Sequence, residues 1–141
     1  MIRVQHLAAL LMLVTAFTSG AVADEAATAA AQQTVERQLE AFLSGDDEAA
    51  YSHAAPNIKR MYPTRDAFMA MVRNLYAPVH RPQNYAFGKS EMQAPGRIKQ
   101  SVLLLGPDGK DYEAVYTLEL QEDGIFRITG VSLRASNIPS I

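Results

Sequence analysis

The sequence predicts an α+β domain in which N-terminal helices pack on a curved four-stranded antiparallel sheet. Two observations carry this reading. Up to about Pro82 the apolar residues recur at helical spacing, and beyond it they alternate. The alternating half is also interrupted by two turn signals, Gly106-Pro107-Asp108-Gly109 and Glu122-Asp123-Gly124, which fold it back on itself.

The elements follow in order. Ala31, Val35, Leu39, Phe42 and Leu43 form one apolar stripe, so a first helix is expected over about Thr28 to Leu43, ended by Ser44-Gly45. Asp24 to Ala31 is alanine-rich and expected to fray. Asp46 is placed to cap a second, short helix reaching about Ala54, with Asp47 and Glu48 at its positive end and Pro56 as its breaker. A single turn at Asn57 to Met61 should bury Ile58 and Met61. Thr64 caps a third helix, Arg65 to Leu75, whose Phe68, Met71, Val72 and Leu75 fall at i, i+3, i+4 and i+7. Pro78 and Pro82 make Tyr76 to Gln83 extended or turned.

Strands are expected at Tyr85 to Glu91, around Ile98 to Leu104, at Tyr112 to Leu120, and from Phe126 to Leu133. In the third, Tyr112, Ala114, Tyr116, Leu118 and Leu120 face the core, while Glu113, Thr117 and Glu119 face water. In the fourth, the apolar phase slips between Ile128 and Val131, which predicts a bulge at Gly130 and a curled sheet. A curved sheet wrapped on a helix makes a half-open cone of the nuclear-transport-factor-like or cystatin-like kind, an architecture that implies no function by itself.

The N-terminus carries a different message. Met1-Ile2-Arg3, an apolar run from Leu7 to Phe17, and Ala21-Val22-Ala23 together read as a cleavable secretory signal peptide over residues 1–23. The run is too short to span a bilayer, which takes about 20 apolar residues. The expectation is a periplasmic or secreted protein, a single domain over 24–141, with no stable membrane span after cleavage. The chain has no cysteine, which excludes disulfides, thiol catalysis and cysteine-based zinc sites.

Removing residues 1–23 takes away one base, Arg3, and no acid, so the net charge moves from −2 to −3. The charge is uneven. Asp24 to Ala50 holds seven acids and one base; Tyr51 to Gln100 holds eight bases and two acids. A basic middle is one way to build an anion-binding face. The compartment and the negative total argue against a nucleic-acid partner.

No reaction is written in the motifs. There is no phosphate-cradling glycine loop, no Gly-x-Ser-x-Gly elbow and no metal-ligand spacing, so neither a cofactor nor a metal is expected. Asp46-Asp47-Glu48 reads as helix initiation rather than a calcium loop. The inward face of the third strand supplies tyrosines and no carboxylate. A general acid or base would therefore have to come from His53, Asp66 or His80, three weak catalytic candidates. The strongest candidate surface is the proline-stiffened segment after the third helix. There Arg73, Tyr76, His80 and Arg81 would make a ligand-binding rim for an anion, since the guanidinium fork pairs with phosphate or carboxylate. Both arginines have an alternative use, a structural pairing with Asp46, Asp47 or Glu48.

From Val35 to Leu133 the chain resembles a bacterial family of exported proteins, the domain of unknown function 4864 family. The resemblance lies in Gln38-Leu39-Glu40-Ala41-Phe42, Ala54-Ala55-Pro56-Asn57-Ile58, Phe68-Met69-Ala70-Met71-Val72-Arg73 and Tyr76-Ala77-Pro78-Val79-His80-Arg81-Pro82. Tyr116-Thr117-Leu118 and Gly124-Ile125-Phe126-Arg127-Ile128 continue it. It implies the cone fold and an exported location, and supplies no catalytic residue. The expected role is a non-catalytic binding or accessory module for an anionic small molecule or envelope component. The alternatives are a small isomerase-, dehydratase- or hydrolase-like enzyme with a cone pocket, and a protein-interaction module using the exposed sheet face.

Overall fold

A computed structural model describes residues 19–136. Five helices precede four strands: α1 (Ser19–Ser44), α2 (Asp47–Ser52), α3 (Pro56–Met61), α4 (Arg65–Leu75), α5 (Ala77–His80), β1 (Asn84–Ala94), β2 (Arg97–Leu105), β3 (Asp111–Leu120) and β4 (Phe126–Ala135). The strands form one open antiparallel sheet in the order β1-β2-β3-β4. The α+β architecture with helices packed on a sheet is the one expected. Most of the proposed signal peptide lies outside the described residues.

Local chemistry accounts for the helix boundaries. The Asp46 carboxylate accepts from Ala49 N at 3.1 Å and starts α2; the Thr64 hydroxyl accepts from Ala67 N at 3.1 Å and starts α4. Gly45, at φ 74°, makes the left-handed turn that ends α1. Two expectations need correction here. Helical geometry already holds at Ser19, the first described residue, so α1 takes in the alanine-rich stretch before Thr28, whose alanines are the strongest helix formers. The segment after α4 is not wholly extended or turned: Tyr76 leaves helical geometry, and Ala77–His80 forms one new helical turn. Pro78 stands in its first turn, where a fixed φ and a missing N–H are tolerated. Pro56 likewise opens α3 as well as closing the segment before it.

The core lies between the α1–α4 layer and one face of the sheet. Val35, Leu39 and Phe42 of α1 and Phe68, Met69 and Val72 of α4 meet Ile98, Val102, Leu104, Ala114, Tyr116, Leu118, Phe126 and Ile128. Four residues expected in the apolar set are instead exposed: Leu43, Met61, Leu75 and Leu120. Each lies at or near the end of its element, where the packed layer stops covering it.

The predicted phase slip in β4 is real. Thr117 pairs with Gly130 and Leu118 with Ile128, leaving Thr129 as the extra residue. A Cβ on Gly130 would come within 3.1 Å of the Thr117 hydroxyl, so a side chain there would crowd the bulge. A second irregularity bends β1 between Phe87 and Ser90. It is held by Gln100, fully buried on β2, whose amide donates to Gly88 O at 3.2 Å and to Ser101 O at 2.8 Å. The Gln100 carbonyl oxygen accepts from Gln32 of α1 at 3.1 Å and from the Ser90 hydroxyl. One polar side chain thus ties helix, strand and bulge together in the core.

Candidate functional site

The bulge opens a pocket. A cavity of about 270 Å³ lies between α3, α4 and the Ile128 to Val131 stretch of β4. Phe42, Ile58, Phe68, Val72, Val79 and Val131 supply its apolar wall. Met61, 65 % exposed, stands at the mouth. The volume is just below the usual range for small-molecule sites, which begins at about 300 Å³.

The elements that frame the pocket are fastened to β4 by its own free carbonyls. Asn57 Nδ2 of α3 donates to Thr129 O at 2.9 Å, and the Tyr76 hydroxyl donates to Val131 O at 3.2 Å. The backbone before α3 adds an isolated parallel bridge, Ala54 to Ile128. These bonds also cover an edge strand that would otherwise invite pairing. Gln38, a polar residue of the wall, spends its amide on Ala50 O at 3.0 Å.

Charge is absent from the wall. Its polar members are Gln38, Asn57, Tyr62, Tyr76 and Thr129, and no Asp, Glu, His, Lys or Arg lines it. The three weak catalytic candidates lie elsewhere. Asp66 is exposed in the first turn of α4, 3.5 Å from Arg65. His53 caps the C-terminus of α2. Burial, then the positive charges of Arg37, Arg127 and Lys59, holds its imidazole below the usual range. His80 ends α5, with its ring edge-on to Phe42 at 5.9 Å. Burial depresses it too, aided by Arg81 and Arg73 and opposed by Asp47.

The four residues expected to bind an anion divide into two groups. Arg73, His80 and Arg81 do gather at one end of the helical layer. Arg73 pairs with Asp47 at 3.2 Å, and Arg81 donates to the Leu43 carbonyl at 3.0 Å. The first contact is the structural pairing that the sequence left open. Tyr76 turns away from this group and joins the pocket wall. Asn57 and Thr129, which shape the wall, were not singled out from the sequence; the phase slip around Gly130 pointed to Thr129, and Asn57 appeared only within the run Ala54-Ala55-Pro56-Asn57-Ile58.

The outer face of the sheet is polar rather than apolar. Arg97 pairs with Glu119 at 2.9 Å and Arg134 with Glu113, beside Lys89, Lys99 and Glu91. Among the described residues no three His, Asp or Glu side chains converge to hold a metal ion, and no helix is long and apolar enough to cross a membrane.

The fold and pocket together define a small α+β protein with an uncharged cavity beside a bulged edge strand. A family model described as Domain of unknown function (DUF4864) matches residues 24–141, and the chain belongs to that family. No curated protein and no solved structure matches the chain.

Proposed function

We propose that this protein is a non-catalytic binding module whose pocket takes a small, largely apolar molecule. The observation that supports this most directly is the chemistry of the wall, which offers contact area and a few hydrogen-bonding groups but no acid or base to move a proton. An engineered apolar cavity of about 150 Å³ holds one benzene ring, so about 270 Å³ suits a ligand of roughly ten non-hydrogen atoms. Tyr76 is the member of the expected rim that would touch it. Arg73 and Arg81 are engaged with Asp47 and the Leu43 carbonyl and stand outside the pocket wall.

The leader-like residues 1–23 support placing this activity in the periplasm or outside the cell, after cleavage near Ala23. Native mass spectrometry of protein purified from its own envelope fraction tests the reading. The expected result is a retained small molecule on the wild type and its loss from Val131→Phe, a variant that fills the cavity. A bare wild-type mass, together with equal uptake of a small aromatic probe by both proteins, would remove the pocket from consideration.

A further inference from the structure

A second feature lies outside the pocket, on the other side of the Ala54–Ile128 bridge. Ile128 N donates to His53 O at 2.9 Å, and Ala55 N donates to Ile128 O at 2.8 Å. Ala54 and Ile128 are buried and line the pocket. The residues just before the bridged pair are neighbours across it, and the charge of the second acts on the side chain of the first. Those residues are His53 and Arg127.

Two more cations reach the same place. Helix α1 is anchored there by the Thr34 hydroxyl, which donates to Phe126 O at 2.8 Å, one residue before Arg127. Arg37 follows Thr34 by three positions, on the same flank of the helix. Lys59 of α3 is tied to the bridge through its backbone N–H, 3.2 Å from Ala55 O, and its Nζ lies 5.3 Å over the Tyr51 ring. Four elements thus bring one cationic or protonatable group each to one spot.

One of the four, Arg127, brings its acid with it; the other three do not. Asp123 binds Arg127 at 2.8 and 3.1 Å; among the described residues, Arg37, His53 and Lys59 have no carboxylate contact. Glu36 and Glu40 of α1 act instead on Tyr85, at the β1 edge of the sheet. The electrostatics of His53 agree: after burial, every influence on it is a positive charge. Like charges held near one another repel, and an oxyanion among them relieves the repulsion.

We propose that Arg37, His53, Lys59 and Arg127 form a binding site for a phosphate group, separate from the apolar pocket. Arginine supplies a two-point fork, lysine a point charge, and the imidazole a donor that becomes a cation once the anion is present. The phosphate can belong to a soluble phosphorylated compound or to an anionic lipid headgroup.

The test is a titration of the purified protein with inorganic phosphate, followed by the NMR signals of the histidine rings. The His53 signals should shift saturably and its titration midpoint should rise, while His80 stays in place as the internal control. Arg37→Glu with Lys59→Glu should weaken binding at least about tenfold, a change of about 1.4 kcal/mol. Arg37→Glu alone, at an exposed position, guards against a folding defect and should still weaken binding several-fold. Co-sedimentation with phosphatidylglycerol and phosphatidylcholine vesicles separates the two sources. Selective pelleting with the anionic vesicles, lost in the double variant, assigns the site to a headgroup; phosphate binding without pelleting assigns it to a soluble compound. An unmoved His53 together with no selective pelleting, or shifts of His53 and His80 alike, overturns the proposal.

Discussion

Replacing Tyr116 with phenylalanine should stabilise the protein, although Tyr116 is fully buried at the centre of β3. Its hydroxyl is out of contact with solvent and has no hydrogen-bond partner among the described residues. Leaving a buried polar group unpaired costs about 1–3 kcal/mol. Phenylalanine keeps the ring and its packing and removes only the oxygen, at the expense of a small void. A net gain of about 1 kcal/mol is expected. For a domain of roughly 120 residues the unfolding entropy at Tm is about 250 cal/mol/K, so Tm should rise by about 4 °C. Alkaline pH gives a second readout. Burial raises the Tyr116 phenol well above its usual range. The folded chain therefore keeps a proton that the unfolded chain loses above about pH 10. Wild-type stability should fall relative to Tyr116→Phe by up to about 1.4 kcal/mol per pH unit there. Urea unfolding at pH 7 and at several alkaline pH values measures both effects. A Tyr116→Phe protein destabilised by more than about 1 kcal/mol, with no widening difference at high pH, would mean that the hydroxyl is satisfied.

Other perturbations follow from the same geometry. Phe68→Ala removes a ring packed against Phe42 and Tyr51 and should cost about 3–5 kcal/mol in chemical denaturation, and Leu118→Ala about 2–5 kcal/mol. Gln100→Ala strips the polar brace from the β1 bulge and should cost about 2 kcal/mol or more, with amide exchange rising first around Gly88 and Lys89. Both folded-state histidines titrate below their unfolded value, so their contribution is present above about pH 6.5 and is lost as pH falls through the lowered values. Tm should drop on acidification through that window, and His53→Gln with His80→Gln should flatten the drop. The double reversal Arg73→Glu with Arg81→Glu should cost little stability, because both side chains are largely solvated, and should leave uptake of a neutral pocket probe unchanged. A lost probe signal in a folded double variant would return those arginines to the binding site.

Much of this architecture is local in origin and so was legible in the chain. The i, i+3, i+4, i+7 spacing from Phe68 to Leu75 specifies α4, because only one helix face can be buried. Asp46 and Thr64 cap their helices through contacts three residues away. Alternation from Tyr112 to Leu120 and the turn glycines specify the meander, and the slip between Ile128 and Val131 specifies the bulge. What tertiary structure decided is what those elements meet. Leu75 continues the α4 stripe yet is exposed, because the partner surface ends before it. Tyr76 and Arg73 lie three residues apart, yet one joins the sheet and the other Asp47 of α2. The pocket exists because Thr129, Asn57 and Tyr76 meet where β4 bends, and the cation cluster because Arg37, His53, Lys59 and Arg127 come from four separate elements. Spacing along a chain encodes which face of an element is apolar. The pairing of faces far apart in sequence is set by packing and by the hydrogen bonds that an edge strand leaves free, and these come into being only when the chain has folded.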